Sequence, residues 1–182
     1  IAYYYLKDNG ELNSYYDYEK GKITRTQLLE KIPEEELKTV INKEMSESTI
    51  KGIFNTIDEI KKEKGIENID VIIGGPPCQA YSLVGRAQSS HMVVPMEDDP
   101  RNELYKMYVQ FLNKYKPRMF VFENVAGIKS ARGGQAFKNL QMYMKRVGYE
   151  ICYDELNAHD FGVLQSRKRV IIVGWLKGTG YD

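Results

Sequence analysis

Apolar residues recur every three or four positions in three stretches of the chain, which is the spacing of a helix with one buried face. The first stretch begins near Ser46 or Ser48 and ends before Gly65, a residue that suits a helix C-cap. The other two stretches cover residues 101–115 and 137–147. We predict a helix in each of the three.

Short runs of β-branched and aromatic residues alternate with these helices. The run at residues 70–73 ends in two glycines and two prolines, as a buried parallel strand does where it opens into a loop. Further strands are predicted at residues 118–122, 149–156 and 170–175. This alternation indicates an α/β fold with a mostly parallel sheet flanked by helices. In such a sheet, functional residues collect beyond the carboxyl ends of the strands.

The chain has 182 residues, enough for one compact domain, and charged residues interrupt every hydrophobic run, which excludes a membrane-spanning helix. Residues 1–67 carry a net charge of −3 and residues 68–182 a net charge of +4. We therefore predict a polar, helix-rich N-terminal segment and a mildly basic remainder within one domain. The two cysteines form no disulfide framework, which favours a reducing, intracellular compartment. Because the first residue is Ile1, we expect a processed or trimmed product.

Residues with reactive or charged side chains lie next to the predicted strands. Cys78 follows the first strand, Glu123 and Asn124 end the second, and the Gln-Ser-Arg-Lys-Arg run at residues 165–169 precedes the last. Between the first strand and the next helix, residues 75–100 show no sustained periodicity. A connection of this length in a compact domain is usually functional or disordered. The sequence therefore predicts a site where these strand ends and this loop meet.

Five segments resemble the motifs of the DNA (cytosine-5) methyltransferase family. They match its Pro-Cys-Gln, Glu-Asn-Val and Gln-x-Arg-x-Arg motifs, its Asp-x-Arg-x-x-Leu element, and its Leu-Asn-Ala-x-Asp-Phe-Gly-Val segment. The Pro-Cys-Gln motif lies within residues 74–82, the Asp-x-Arg-x-x-Leu element at 99–104 and the Glu-Asn-Val motif at 123–125. The Leu-Asn-Ala-x-Asp-Phe-Gly-Val segment is at 156–163, and the Gln-x-Arg-x-Arg motif is at 165–169. The resemblance covers the chain from about residue 69 to residue 174, and residues 1–67 match no motif.

The resemblance implies the Rossmann-like fold of S-adenosylmethionine-dependent methyltransferases, here incomplete at both ends, with residues 68–182 as the catalytic core. It implies a DNA cytosine-5 methyltransferase in which the Cys78 thiolate adds to C6 of a flipped cytosine, so that C5 can take the methyl group. Glu123 would be the partner of N3, and Arg169 the guanidinium at O2, with Arg167 beside it. Nearby guanidinium groups would also lower the pKa of the Cys78 thiol.

The same resemblance indicates which residues meet the DNA and the cofactor. Polar residues of the long loop and of the strand ends are expected to contact the DNA or the flipped base: Gln79, Ser82, Arg86, Asn124 and Gln165. Pro76 and Leu104 match family positions near S-adenosylmethionine. The family holds the adenosyl group with a Phe-x-Gly-x-Gly turn, and no such turn is recognisable before Ile69. We therefore expect these residues to form only part of a cofactor site.

The implied partner is double-stranded DNA, without a membrane or a metal ion, in the cytoplasm of a prokaryote, where the substrate is nucleoid DNA. A cognate restriction endonuclease is a further expected partner. Two alternatives stay open: a relative with the same chemistry that acts on tRNA, and a catalytically silent nucleic-acid-binding fragment. Cys152 lies within an alternating strand, and we predict that it is a buried structural thiol. The cysteines and histidines lack the spacing of a zinc site.

Overall fold

A computed structural model describes residues 1–76 and 104–180, which fall into two compact units. The first unit comprises residues 1–44 and 51–65, and the second comprises Met45–Ile50 and Ile66–Asp182. Helices make up the regular structure of the first unit, whereas the second unit contains the sheet.

Short helices fill the first unit: α1 (Ala2–Asp8), α2 (Leu12–Glu19), α3 (Arg25–Leu29), α4 (Glu34–Leu37) and α5 (Ile50–Glu63). Tyrosines of α1 and α2 contact one another edge to face, and the ring centroids of Tyr3 and Tyr15 lie 5.2 Å apart. Thr24 opens α3 with a capping box, because its hydroxyl accepts from the Gln27 N–H and the Gln27 side chain accepts in return. Several tyrosines near the start of the chain thus pack on each other.

The second unit alternates strands with helices, as predicted: β1 (Val71–Gly74), α6 (Leu104–Tyr115), β2 (Met119–Val125), α7 (Gln135–Arg146), β3 (Tyr149–Asn157) and β4 (Lys168–Leu176). Three turns of 3₁₀ helix connect them: Ala126–Lys129, Ala131–Gly134 and Ala158–Phe161. The predicted helices and strands are confirmed, and the α/β fold with them.

The four strands form one sheet in the order β1-β2-β4-β3. Strand β1 pairs with β2 in parallel, whereas β4 is antiparallel to both of its neighbours. The described sheet is therefore mixed, while the sequence predicted a mostly parallel one. The reason lies in the connection: residues 158–167 join β3 to β4 without the crossover helix that a parallel pair requires, so the chain turns back as a hairpin.

One face of the sheet is covered by α6 and α7 and holds the core. Phe120 and Phe122 of β2 and Ile172 of β4 are 0% exposed, and helix residues such as Leu112 pack in the same cluster. Gly174 of β4 pairs with Phe120 of β2, and only glycine fits there because a Cβ would overlap the Phe120 ring.

Helix α6 also fastens the two parallel strands to each other. The Tyr108 hydroxyl lies 3.0 Å from the Val121 carbonyl oxygen and 3.2 Å from that of Ile72, so it reaches one backbone oxygen on each strand. Burial raises the pKa of this hydroxyl. Gly74 leaves room for the Tyr108 ring, since a Cβ at position 74 would lie only 2.6 Å from it.

Cys152 is exposed, so the prediction of a buried thiol is wrong. Side chains alternate between the two faces along a strand, and Tyr149 of β3 points into the core. Cys152 is three residues further on and therefore points to the opposite face. In addition, β3 is the edge strand of the described sheet, so it has a neighbour on one side only.

Candidate active site

Glu123 and Arg169 meet at the end of the sheet where β2 stops and β4 begins. Arg169 pairs with Val125 in the antiparallel register, and Glu123 lies two residues before Val125, on the same face of β2. The Arg169 Nε lies 2.7 Å from the Glu123 Oε1, the distance of a charge-assisted hydrogen bond. The Arg167 Nη2 lies 3.9 Å from the same oxygen. The structure thus brings together all three predicted charged site residues that it describes.

This cluster is open to solvent. The Glu123 side chain is 39% exposed, the Arg169 side chain 23% and the Arg167 side chain 50%. An ion pair at such exposure adds little to folding stability. Its guanidinium groups and carboxylate are instead available to a polar group that enters from outside.

The exit of β1 lies directly against Glu123. A Cβ built on Gly75 would be 2.8 Å from the Glu123 Oε2 and 3.3 Å from the Glu123 carbonyl oxygen. Any other residue at position 75 would push the carboxylate aside. Sequence reasoning did not assign Gly75 to the site, although its Gly-Gly-Pro-Pro setting at a strand end was a usable signal.

Asn124 is buried, at 4% exposure, on the core side of β2. Its Nδ2 donates a hydrogen bond of 3.2 Å to the Pro76 carbonyl oxygen. Its Oδ1 accepts from the Val125 N–H at 2.9 Å. Both ends of this amide are therefore engaged by backbone groups.

Backbone hydrogen bonds shape the turn that carries Gln165 and Arg167. The Asn157 Oδ1 accepts from the Arg167 N–H at 2.9 Å, and the Ala158 N–H donates to the Arg167 carbonyl oxygen at 3.0 Å. Gln165 is exposed in this turn, and its N–H donates to the Val163 carbonyl oxygen at 2.8 Å. Asn157 holds the turn but was not singled out as a site residue, although it stands within a segment that carried the resemblance.

A second ion pair links the turn after β2 to β3. The Lys129 Nζ lies 2.6 Å from the Glu155 Oε2. The hydrogen bond to the ammonium holds the pKa of Glu155 below its usual value, and the same bond raises the pKa of Lys129. This pair fixes the Ala126–Lys129 turn, which directly follows Val125.

The described residues supply at most one side of a site for the expected methyl donor. Pro76 is half-buried at the exit of β1, and Leu104 is half-buried at the start of α6. Within residues 1–76, no strand comes before β1, and Gly10 and Gly21 lie in turns between short helices. A strand–glycine–helix turn for an adenosyl group is thus absent from this part of the chain.

Four predicted site residues, Cys78, Gln79, Ser82 and Arg86, lie outside the described residues. Where the structure does describe the chain, no group of three or more His, Cys, Asp or Glu side chains could hold a metal ion. Over the same ranges, no helix is both long enough and apolar enough to cross a membrane.

Comparison with known proteins places this chain in one family. The model of the family described as C-5 cytosine-specific DNA methylase matches residues 22–182. A type II methyltransferase of Bacillus paralicheniformis is 41% identical over 123 residues, which cover 63% of this chain and 27% of that protein. A type II methyltransferase of Neisseria gonorrhoeae is 39% identical over 125 residues, which cover 69% of this chain and 35% of that protein.

A solved structure shares the fold. The crystal structure of an E. coli protein, described as a DNA modification methyltransferase encoded within a prophage, matches with a TM-score of 0.50 and 28% identity. The match covers 73% of this chain and 31% of that one. It confirms the predicted Rossmann-like methyltransferase fold. The present chain spans about a third of the length of these proteins.

Proposed function

Because the chain belongs to the C-5 cytosine-specific DNA methylase family, we propose that it carries the reacting residues of a DNA cytosine-5 methyltransferase. The reaction transfers a methyl group from S-adenosylmethionine to C5 of a cytosine in double-stranded DNA. One observation supports the proposal most strongly: the Arg169 Nε lies 2.7 Å from the Glu123 carboxylate. The pair lies at the end of the sheet where β1 stops and the chain continues toward Cys78.

Cys78 is the nucleophile in this proposal. Its thiolate forms a bond to C6 of the base, the C5–C6 double bond becomes a C4–C5 double bond, and the electron pair of the former N3–C4 double bond moves to N3. Glu123 in its protonated form supplies the proton that N3 takes up and is left as a carboxylate beside Arg169. Arg169 donates hydrogen bonds toward O2. Positioned donors of this kind are worth roughly 3–4 kcal/mol each in the transition state. C5 becomes enamine-like and thus nucleophilic.

When bound, S-adenosylmethionine supplies the methyl group that C5 takes. Pro76 and Leu104 are the residues of this chain that we assign to its neighbourhood. They form one wall, so a complete cofactor site needs residues beyond those that the structure describes.

We further assign Gln79, Ser82, Arg86 and Gln165 to contacts with DNA. A cytosine within a duplex cannot expose C6 to a thiolate, so the base must leave the stack, and polar groups have to replace its partners. Gln165 suits this role because it is exposed in the turn that also carries Arg167. The type II names of the relatives favour a cytoplasmic enzyme that acts on nucleoid DNA beside a cognate restriction endonuclease.

Trapping with 5-fluorocytosine tests the proposal. The whole protein that carries this chain is incubated with S-adenosylmethionine and a pool of duplexes of random sequence that contain 5-fluorocytosine. Fluorine cannot leave C5 after methylation, so a covalent protein–DNA adduct accumulates and survives denaturing electrophoresis. Cys78→Ala abolishes the adduct, while the matched control Cys152→Ala retains it, because Cys152 is exposed on β3.

Two outcomes contradict the proposal. An adduct that survives Cys78→Ala excludes this nucleophile. Absence of any adduct with the unmodified protein argues for a silent nucleic-acid-binding role. A parallel arm with tRNA separates the substrates, since a tRNA-acting relative transfers the methyl group to tRNA and leaves the duplex pool unmodified.

A further inference from the structure

We propose that Asn124 is a positioning residue: it holds the exit of β1 against β2, and thereby sets where the chain that leads to Cys78 starts relative to Glu123. This inference rests on the proposed function, since it concerns the geometry of the same reaction. It differs from the expectation that Asn124 contacts DNA or the base.

The first argument is the way in which the Asn124 amide is used. Its Nδ2 donates to the carbonyl oxygen of Pro76, two residues after the end of β1, at 3.2 Å. Its Oδ1 accepts from the Val125 N–H at 2.9 Å, which fixes the orientation of the amide. A buried polar side chain whose two ends are both satisfied by backbone holds those backbone groups in place.

The second argument is burial. Asn124 is 4% exposed, whereas its neighbour Glu123 has a side chain that is 39% exposed. Alternation along β2 directs the two side chains to opposite faces. A base that reaches Glu123 from solvent therefore meets the face from which Asn124 is turned away.

A third contact makes the arrangement tight. Gly75 lies so close to Glu123 that a Cβ on it would approach the Glu123 Oε2 to 2.8 Å. The segment of Gly75 and Pro76 is thus limited on one side by Glu123 and held on the other by Asn124. Cys78 follows Pro76 by two residues in the sequence, so a displaced Pro76 displaces the start of that segment.

The test compares Asn124→Asp with Asn139→Asp. The first substitution keeps an acceptor for the Val125 N–H but puts a carboxylate oxygen against the Pro76 carbonyl oxygen. Asn139 is a matched control, because its Oδ1 accepts from Gln135 on α7 and a carboxylate preserves that bond. Asn124→Ala is included as a second variant, which removes the donor without adding charge.

Two readouts are taken on the whole protein. The first needs neither DNA nor cofactor: after labelling with iodoacetamide, mass spectrometry of the peptides that contain Cys78 and Cys152 gives the ratio of their labelling rates. Exposed Cys152 serves as the internal reference. The second is steady-state methyl transfer, resolved into kcat and the KM for duplex DNA. Circular dichroism during urea unfolding shows whether each variant is folded.

We expect Asn124→Asp to change the labelling ratio and to lower kcat by roughly 100-fold, the cost of an ångström-scale misplacement, while KM stays unchanged. Asn139→Asp should match the unmodified protein in every readout. A labelling ratio that stays constant in folded Asn124 variants overturns the inference, as does a raised KM with unchanged kcat, which a base contact would produce. If a variant unfolds, protection of the Asn124 side-chain amide protons from exchange, measured by NMR in the unmodified protein, decides instead. Rapid exchange of these protons overturns the inference.

The labelling ratio separates two kinds of failure. It reports on the position of Cys78 even if no methyl transfer occurs, so a changed ratio without any 5-fluorocytosine adduct would refute the proposed function and leave the positioning role intact. An adduct together with an unchanged ratio would do the reverse.

Discussion

The two faces of strand β2 differ sharply in what surrounds them. On one face, Phe120 and Phe122 are 0% exposed beneath α6 and α7. On the other face, the Glu123 side chain is 39% exposed and meets Arg169. One residue step therefore separates a position that determines stability from one that is available for chemistry. The difference teaches that the two roles can be disturbed separately, and the following substitutions are chosen to do so.

Phe122→Ala should have the largest effect on stability. It removes a buried ring that contacts Tyr108 edge to face with centroids 5.1 Å apart. Loss of this ring and the cavity that it leaves should lower the free energy of unfolding by about 3–5 kcal/mol. The measurement is urea unfolding followed by Trp175 fluorescence. Phe161→Ala is the control, since Phe161 is 67% exposed and should change stability by no more than about 0.5 kcal/mol. Equal shifts in both variants would show that burial of the Phe122 ring does not stabilise the fold.

Arg169→Ala should lower activity strongly and change stability little. We expect methyl transfer by the whole protein to fall by roughly 10²–10³-fold, because a positioned donor is lost. Arg167→Ala should lower the rate less, since its guanidinium lies 3.9 Å from the Glu123 carboxylate and that of Arg169 lies 2.7 Å away. The free energy of unfolding should change by less than about 1 kcal/mol, as for other solvent-accessible ion pairs. An Arg169 variant that loses stability but retains its rate would contradict this assignment.

Glu155→Gln should have the smallest effect on stability, because Glu155 and its partner Lys129 are both partly exposed. Lys129 lowers the pKa of Glu155, so this carboxylate stabilises the fold above its ordinary pKa of 4.5 and loses that contribution as the pH falls through its folded value. The raised pKa of Lys129 gives a contribution that is present below 10.5 and is lost as the pH rises through the folded value.

The pair therefore acts between these two limits. Glu155→Gln should lower the urea midpoint slightly at pH 7 and by less at pH 3, because the carboxylate takes up a proton as the pH falls through its folded pKa. The double variant with Lys129→Met isolates the pair from other effects of the substitution. A difference that is the same at both pH values would show that the ion pair contributes nothing.

Local patterns predicted the strands and helices of the second unit, because periodicity reports directly which side of an element is buried. The direction of β4 was not predictable in this way. Its β-branched run is the same in either direction, and the short connection at residues 158–167 decides the pairing. The exposure of Cys152 was not predicted for a similar reason: the order of the strands, and not the residues of β3, makes β3 an edge strand of the described sheet.

At the site, the family resemblance placed Glu123 and Arg169 in the same cluster, and the structure brings them together. It did not indicate that Asn124 is buried. Adjacent strand residues face opposite sides, and Glu123 and Asn124 follow this alternation. The bond from Asn124 joins β2 to Pro76, which follows β1, and a contact between residues so far apart in the sequence leaves no local signature.

The alternation along β2 also limits how this gene segment can evolve. Single substitutions can alter one face of the strand and leave the other as it is. Deletion of one codon between Phe120 and Glu123 would shift the register, so that the carboxylate would turn toward the helices and an aromatic ring toward solvent. Lineages that carry this strand should therefore accumulate replacements within it, while insertions and deletions collect in the connections on either side.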